Sequence, residues 1–202
     1  MSLTGLFLCT ILLIHLFCNL QLFKNDEGKA FEAYSEFMST NFIIRTIEIG
    51  LFLFLLIHAI NGVYLWFINK FARTQKYAVY KLKENTELAA RTMIITALLI
   101  FIFLVIHLNH YFVPSRLLNE TESLYNLVIQ SFADPTYVVI YLIAFIVLGY
   151  HLKHGFQSAF QTLGLRTKRY ILILEWLAVI FWLLVPLGYA IIPIYFYWLQ
   201  RF

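Results

Sequence analysis

Histidines are the residues in this chain best suited to chemistry: there are six among 202 residues. His15, His58, His107 and His151 fall one to each of the first four strongly apolar runs, and the fifth run has none. A neutral imidazole binds a metal through one ring nitrogen, and its charge changes near physiological pH. An ionisable side chain inside a long apolar segment is costly to bury, which marks a functional site by default. His110 follows His107 by three residues and His154 follows His151 by three, each nearer the end of its run. Cys9 and Cys18 both lie in the first run, make no disulfide framework and say nothing about redox compartment.

The elements that must position these histidines are the runs themselves, roughly 3–23, 42–68, 92–113, 136–156 and 171–199. Each reaches the ~20 residues that an α-helix needs to cross a bilayer core. Hydrophobic residues are 61% of the chain and charged ones 13%, and mean hydropathy is +0.77. That composition excludes both a water-soluble globule and a disordered chain. A membrane barrel would need short segments of alternating polarity, and Ile94 to Ile106 does not alternate. The first run is not a signal peptide, because no basic residue precedes it, it is too long and it lacks a small-residue cleavage site. Its abrupt start at Met1 leaves room for a few further cytoplasmic residues. The expectation is an all-α membrane protein, one domain over residues 1–202, with a four-helix core and a flanking fifth helix. Pro186 and Pro193 are expected to kink that fifth helix, and Tyr195, Tyr197 and Trp198 to form an interfacial belt. No internal repeat, Gly/Ser linker or low-complexity tract is visible.

Net charge +4 becomes informative once it is sorted by loop. The second loop holds Lys70, Arg73, Lys76, Lys81, Lys83 and Arg91 against Glu84 and Glu87, and the fourth holds Lys153, Arg166, Lys168 and Arg169. The first loop carries Asp26, Glu27, Glu32 and Glu36 against Lys24 and Lys29; the third has Arg116 alone with Glu120, Glu122 and Asp134. The positive-inside rule puts the second and fourth loops in the cytoplasm. The N-terminus is then inside and the C-terminus outside, in a bacterial inner membrane, and the basic balance is a topology signal rather than a nucleic-acid site. Within the acidic outer segment, Ala30, Phe31, Tyr34, Phe37 and Met38 recur at helical spacing, predicting a short helix along the outer interface.

Topology sorts the four histidines by depth. At 1.5 Å per residue, His15 and His107 lie ~3 Å and ~6 Å toward the outside, and His58 and His151 ~4 Å and ~7 Å toward the cytoplasm. Two bis-histidine levels in a four-helix core are what two stacked b-type haems require. With both axial positions filled by protein, such haems favour electron transfer over oxygen chemistry. His58-Ala-Ile-Asn-Gly62 and His151-Leu-Lys-His-Gly155 share H-x-x-x-G, so Gly62 and Gly155 lie one turn beyond the inner ligands and clear space for a flat macrocycle. His110 and His154 remain open as alternative ligands, donors to a haem propionate, quinone-site groups or plain interfacial residues. A metal or proton transporter would instead need carboxylates at similar depth and broken helices; the first and third runs contain no acidic residue.

Several ordered segments together carry a family resemblance over essentially the whole chain. They are Thr4-Gly-Leu-Phe-Leu8 with His15-Leu-Phe-Cys-Asn-Leu-Gln21, and Ala30-Phe-Glu-Ala-Tyr34 through Phe37-Met-Ser-Thr-Asn41 to Arg45-Thr-Ile-Glu48. They continue with His58-Ala-Ile-Asn-Gly62, Val105-Ile-His107, Val113-Pro-Ser-Arg116, and His151-Leu-Lys-His-Gly-Phe-Gln-Ser-Ala-Phe160. The chain resembles the di-haem cytochrome b subunit of succinate dehydrogenase/fumarate reductase, in the single-subunit, five-helix form used with menaquinone. The resemblance implies that His58 and His151 hold the haem nearer the cytoplasm and His15 and His107 the distal one. It also implies a cytoplasmic flavoprotein subunit carrying FAD and the dicarboxylate site, and an iron–sulfur subunit that docks on this anchor through its basic inner loops. This chain would relay electrons between the iron–sulfur subunit and the quinone. A di-haem b subunit of a formate dehydrogenase or hydrogenase is the alternative. Two features depart from the family. The short basic segment usual before the first span is absent, and the carboxylate that some members place two residues before the fourth-span ligand is here Gly149.

A menaquinone site needs an apolar slot beside a haem with a proton-accepting group at the quinone oxygen. Glu48 and Arg45, at the outer end of the second span, are the candidates, with Asn19 and Gln21 as helpers. An ordinary interfacial ion pair is the competing reading of Arg45 and Glu48.

Overall fold

The computed structural model describes residues 1–72, 91–118 and 123–199, and every regular element among them is helical. α1 spans Ser2–Asn19 and tightens into a 3-10 turn over Leu20–Phe23. α2 is Lys29–Thr40, α3 is Phe42–Phe71, and α4 is Met93–His107 with a π-helical continuation over Leu108–Leu117. α5 is Leu124–Ala133 and α6 is Pro135–Thr162. The last span comprises α7 (Ile171–Val179), a π-helical stretch (Ile180–Leu184) and α8 (Val185–Leu199). Five helices are long and apolar enough to cross a membrane: Ser2–Phe23, Phe42–Phe71, Met93–Leu117, Pro135–Thr162 and Ile171–Leu199. This is an integral, all-α membrane protein. Arg73, Lys76, Lys81, Lys83, Glu84 and Glu87 of the second loop lie outside the described residues, as do Glu120, Glu122, Arg201 and Phe202.

Local chemistry sets the helix starts. Asn41 accepts from the Ile43 and Ile44 amides at 3.0 and 3.3 Å and starts α3. Asp134 accepts from the Thr136 amide at 2.8 Å, and Pro135 occupies the first turn of α6. These caps satisfy amides that a helix leaves unpaired. The turn before α2 needs Gly28, whose φ is +82° and whose Cβ, if present, would run into the Tyr125 ring.

The outer helix expected from the sequence is α2; it buries Phe31, but Phe37 stays 53% exposed. α5 was not expected. Ser123 caps it by accepting from the Asn126 amide, and Glu32 of α2 accepts from both the Ser123 hydroxyl and the Tyr125 amide at 2.7 Å. The fifth span does more than flank the others. Both buried apolar clusters lie along α6 where the fifth span meets it: Tyr141, Phe145, Val185, Tyr189 and Phe196 toward one end, Cys9, Leu152, Phe156 and Ala178 toward the other. Pro186 follows the π-helical stretch and has no amide to offer the Trp182 carbonyl, so the span is distorted there; Pro193 sits inside α8 without ending it.

The other four spans form a quadrilateral. Its packed sides are α1–α3, α3–α4, α4–α6 and α6–α1, leaving α1 opposite α4 and α3 opposite α6. No residue of α3 is buried, although it packs against α1, α2 and α4. α3 therefore adds no residue to the buried apolar clusters.

The expectation of no internal repeat is corrected by this arrangement. A spanning helix, a short helix, an Asn or Asp cap and a second spanning helix occur twice, as α1–α2–α3 and α4–α5–α6. Met1/Met93, Thr4/Thr96 and His15/His107 match at a spacing of 92 residues, and Asn41/Asp134, His58/His151 and Gly62/Gly155 at 93. Many other matched positions differ in character, Asn19 against Tyr111 and Arg45 against Val138 among them, which hides the repeat in the sequence.

Candidate functional site

Each inner histidine is held by a threonine of the neighbouring helix in its own half. His58 Nδ1 on α3 lies 3.1 Å from Thr4 Oγ1 on α1. His151 Nδ1 on α6 lies 3.3 Å from Thr96 Oγ1 on α4. Thr4 and Thr96 are both buried, and each hydroxyl donates to a carbonyl three residues back, Met1 O at 2.8 Å and Met93 O at 2.9 Å. α3 and α6 lie opposite each other across one diagonal, with His58 on one and His151 on the other. Space beyond the rings is closed only by movable groups. A Cβ on Gly62 would meet the tip of Met1 at 3.3 Å, and one on Gly155 the tip of Met93 at 3.4 Å.

The outer pair occupies the other diagonal. The His15 and His107 ring centres are 6.0 Å apart with planes at 89°. Metal–imidazole bonds of about 2 Å put two rings on opposite sides of one metal roughly 6 Å apart. At this separation His15 and His107 could together hold one metal between them. His107 Nδ1 lies 3.1 Å from the hydroxyl of buried Tyr141. His15 lies beside the Tyr189 ring, and its carbonyl accepts from Asn19 Nδ2 at 2.7 Å. Each diagonal thus carries one histidine pair, His58 and His151 on one and His15 and His107 on the other. Among the described residues no three His, Cys, Asp or Glu side chains converge.

His110 is committed elsewhere. Its Nε2 lies 2.7 Å from Ser131 Oγ and its Nδ1 3.3 Å from the Tyr137 hydroxyl. The Ser131 hydroxyl gives its proton to Leu127 O at 2.6 Å, so His110 Nε2 donates and Nδ1 accepts. No ring nitrogen is left for a metal. His154 makes no hydrogen bond to a described side chain and stays half-buried one turn beyond His151.

Arg45 and Glu48 are joined by two bonds from Arg45 Nη1, at 2.8 Å to Oε1 and 2.7 Å to Oε2. Asn19 is turned onto its own helix, and no hydrogen bond links Asn19 or Gln21 to that pair. Arg116 lies near it, donating to Ser35 O at 3.4 Å. A surface cleft lies beside Phe156, Phe160, Arg166 and Glu175, and no histidine lines it. Of the inner basic residues, Lys153 sits 5.3 Å over the Trp182 ring, whereas Arg166, Lys168 and Arg169 are exposed in the α6–α7 connection.

Sequence reading missed Thr4, Thr96 and Tyr141. The signal was present as Met-x-x-Thr with a histidine eleven residues after the threonine, occurring once in each half.

No curated protein and no solved structure matches the chain. Residues 1–89 and 72–186 match the family described as succinate dehydrogenase/fumarate reductase transmembrane subunit, two overlapping segments that together span residues 1–186. With five spanning helices and nearly its whole length matched, the chain belongs to the family of succinate dehydrogenase/fumarate reductase transmembrane subunits.

Proposed function

We propose that this chain is the electron-relay subunit of a succinate:quinone oxidoreductase or quinol:fumarate reductase, holding two b haems between an iron–sulfur subunit and menaquinone. The observation that carries the reading is one histidine on each of four spans set as two diagonals, with the His15 and His107 ring centres 6.0 Å apart. A haem held by two imidazoles accepts and gives up single electrons while offering oxygen no open position. His58 and His151 would hold the group nearer the cytoplasm, with Gly62 and Gly155 clearing its edges; His15 and His107 would hold the distal one. The protein's part is to fix these rings at two depths and to keep water from both sites.

Family membership favours this complex over a formate dehydrogenase or hydrogenase partner, and over a transporter. The exposed Arg166, Lys168 and Arg169 suit docking by charge to an iron–sulfur subunit on the cytoplasmic side, beyond which a flavoprotein with FAD acts on the dicarboxylate. This placement has the N-terminus inside and the C-terminus outside a bacterial inner membrane. Menaquinone would bind at the outer end of α3, where Glu48 Oε2 receives or releases the proton and Arg45 holds that carboxylate in place.

A reduced-minus-oxidised spectrum of the chain purified from membranes tests the reading. It should show low-spin b haem, two per chain by haem extraction. His15→Ala or His107→Ala should remove one haem, and His58→Ala or His151→Ala the other. A spectrum with no α-band would sink the proposal.

A further inference from the structure

The two threonines beside the inner histidines do something the ligands cannot do for themselves. A carbonyl oxygen has no proton, so the 2.8 Å contact of Thr4 Oγ1 with Met1 O uses the only proton that hydroxyl has. The same holds for Thr96 Oγ1 and Met93 O at 2.9 Å. Each hydroxyl oxygen can therefore only accept from the imidazole beside it. The proton of His58 must sit on Nδ1, and likewise that of His151, leaving both Nε2 lone pairs free. We propose that Thr4 and Thr96 are positioning residues that fix the tautomer and ring orientation of His58 and His151, presenting Nε2 of each to the inner haem iron. The inference rests on the haem reading above.

Three features strengthen it. Thr4 and Thr96 are two of the three buried polar residues among the described ones, in helices otherwise almost wholly apolar. The contact recurs in both halves, between residues 54 apart in one and 55 in the other, with the same donation to a methionine carbonyl. His110 provides the contrast: Ser131 places its proton on Nε2, the opposite tautomer, and that ring is not offered to the quadrilateral. An acceptor behind a ligating imidazole also raises the ligand's basicity, which stabilises the oxidised metal.

The test uses the full chain purified from membranes, with Thr4→Val and Thr96→Val, and Thr4→Ser and Thr96→Ser as conservative partners. Redox titration and the low-spin electron paramagnetic resonance of each haem are read, with haem content. The valine variants should move the inner haem's potential upward, change its resonance and lower its retention roughly tenfold. The distal haem should be unmoved, and the serine variants should match wild type. An unchanged inner haem in both valine variants overturns the inference. So does an equal change in both haems, or a loss of the whole chain from the membrane that serine repairs while the surviving valine protein keeps wild-type spectra. Absence of bis-imidazole haem in the wild type would defeat the proposed function instead, so the two failures are told apart.

Discussion

Gly149 offers the sharpest structural prediction, because a backbone atom sits where its side chain would be. A Cβ there would come within 2.8 Å of the Trp182 carbonyl oxygen and 3.7 Å of Pro186 Cγ. Pro186 has no amide for that carbonyl, so the oxygen is turned toward α6 instead of closing an α-helical bond. Neither atom is the end of a flexible side chain. Reaching 3.4 Å, the near edge of ordinary contact, requires α6 and the fifth span to part by about 0.6 Å, and strain of this kind costs typically 1–3 kcal/mol. Gly149→Ala should lower the thermal unfolding midpoint in detergent by roughly 2–4 °C per kcal/mol. It should also loosen the inner haem, since His151 lies two residues on in the same helix. Gly50→Ala is the control: it lies in α3 with nothing within 4 Å, so it should be neutral or gain up to about 1 kcal/mol of helix propensity. Circular dichroism melts of both variants decide the matter. If Gly149→Ala melts with the wild type, or Gly50→Ala is the worse of the two, the close approach of α6 to Trp182 is wrong.

Tyr141→Phe removes the hydroxyl 3.1 Å from His107 Nδ1 and, under the proposed function, should shift the distal haem potential, leave the inner haem alone and cost about 1 kcal/mol of stability. Redox titration of the two haems checks it. Glu32→Ala deprives the start of α5 of two 2.7 Å bonds and should lower stability by about 1–2 kcal/mol in the same melts, without touching either haem spectrum. Arg45→Ala leaves Glu48 without its bidentate partner; steady-state quinol assays on the assembled complex should show KM raised roughly tenfold. An unchanged KM would make the pair an ordinary interfacial one.

The spans were legible because a bilayer demands about 20 apolar residues in a row, and no other soluble or barrel pattern supplies them. Their ends were less so. α6 continues to Thr162, because Lys153, His154 and Gln157 read as a loop by hydropathy while remaining good on a helix leaving the membrane. α5 was hidden next to Glu120 and Glu122, although Leu124, Val128 and Phe132 recur every fourth residue after a serine cap. The histidines declared themselves by their cost in an apolar run. Thr4 and Thr96 did not, because a hydroxyl in a transmembrane helix is ordinarily satisfied by its own backbone, and the ring each also meets is more than fifty residues away. Arg45 and Glu48 were legible as a pair at i and i+3. Asn19, equally polar and at a similar depth, turned out to serve its own helix.

The repeat gives the two histidine levels different characters. Each pair takes one ring from each half, so neither half holds a complete pair, and a haem lying between matched helices would sit close to the axis relating them. At the inner level the match extends to the supporting groups: threonine, methionine carbonyl and glycine occur on both sides. At the outer level it breaks. Tyr141, which supports His107, corresponds at the 93-residue spacing to Glu48, and Glu48 is drawn to Arg45 instead of to His15. A matched environment on both sides suits a group that only has to be held and to pass electrons on. Quinone chemistry also moves protons, and needs an ionisable group that is not committed to a ligand. The half in which tyrosine is replaced by glutamate supplies such a group at the corresponding position of α3. Under the proposed function, the level where the repeat fails is therefore the level where menaquinone should react.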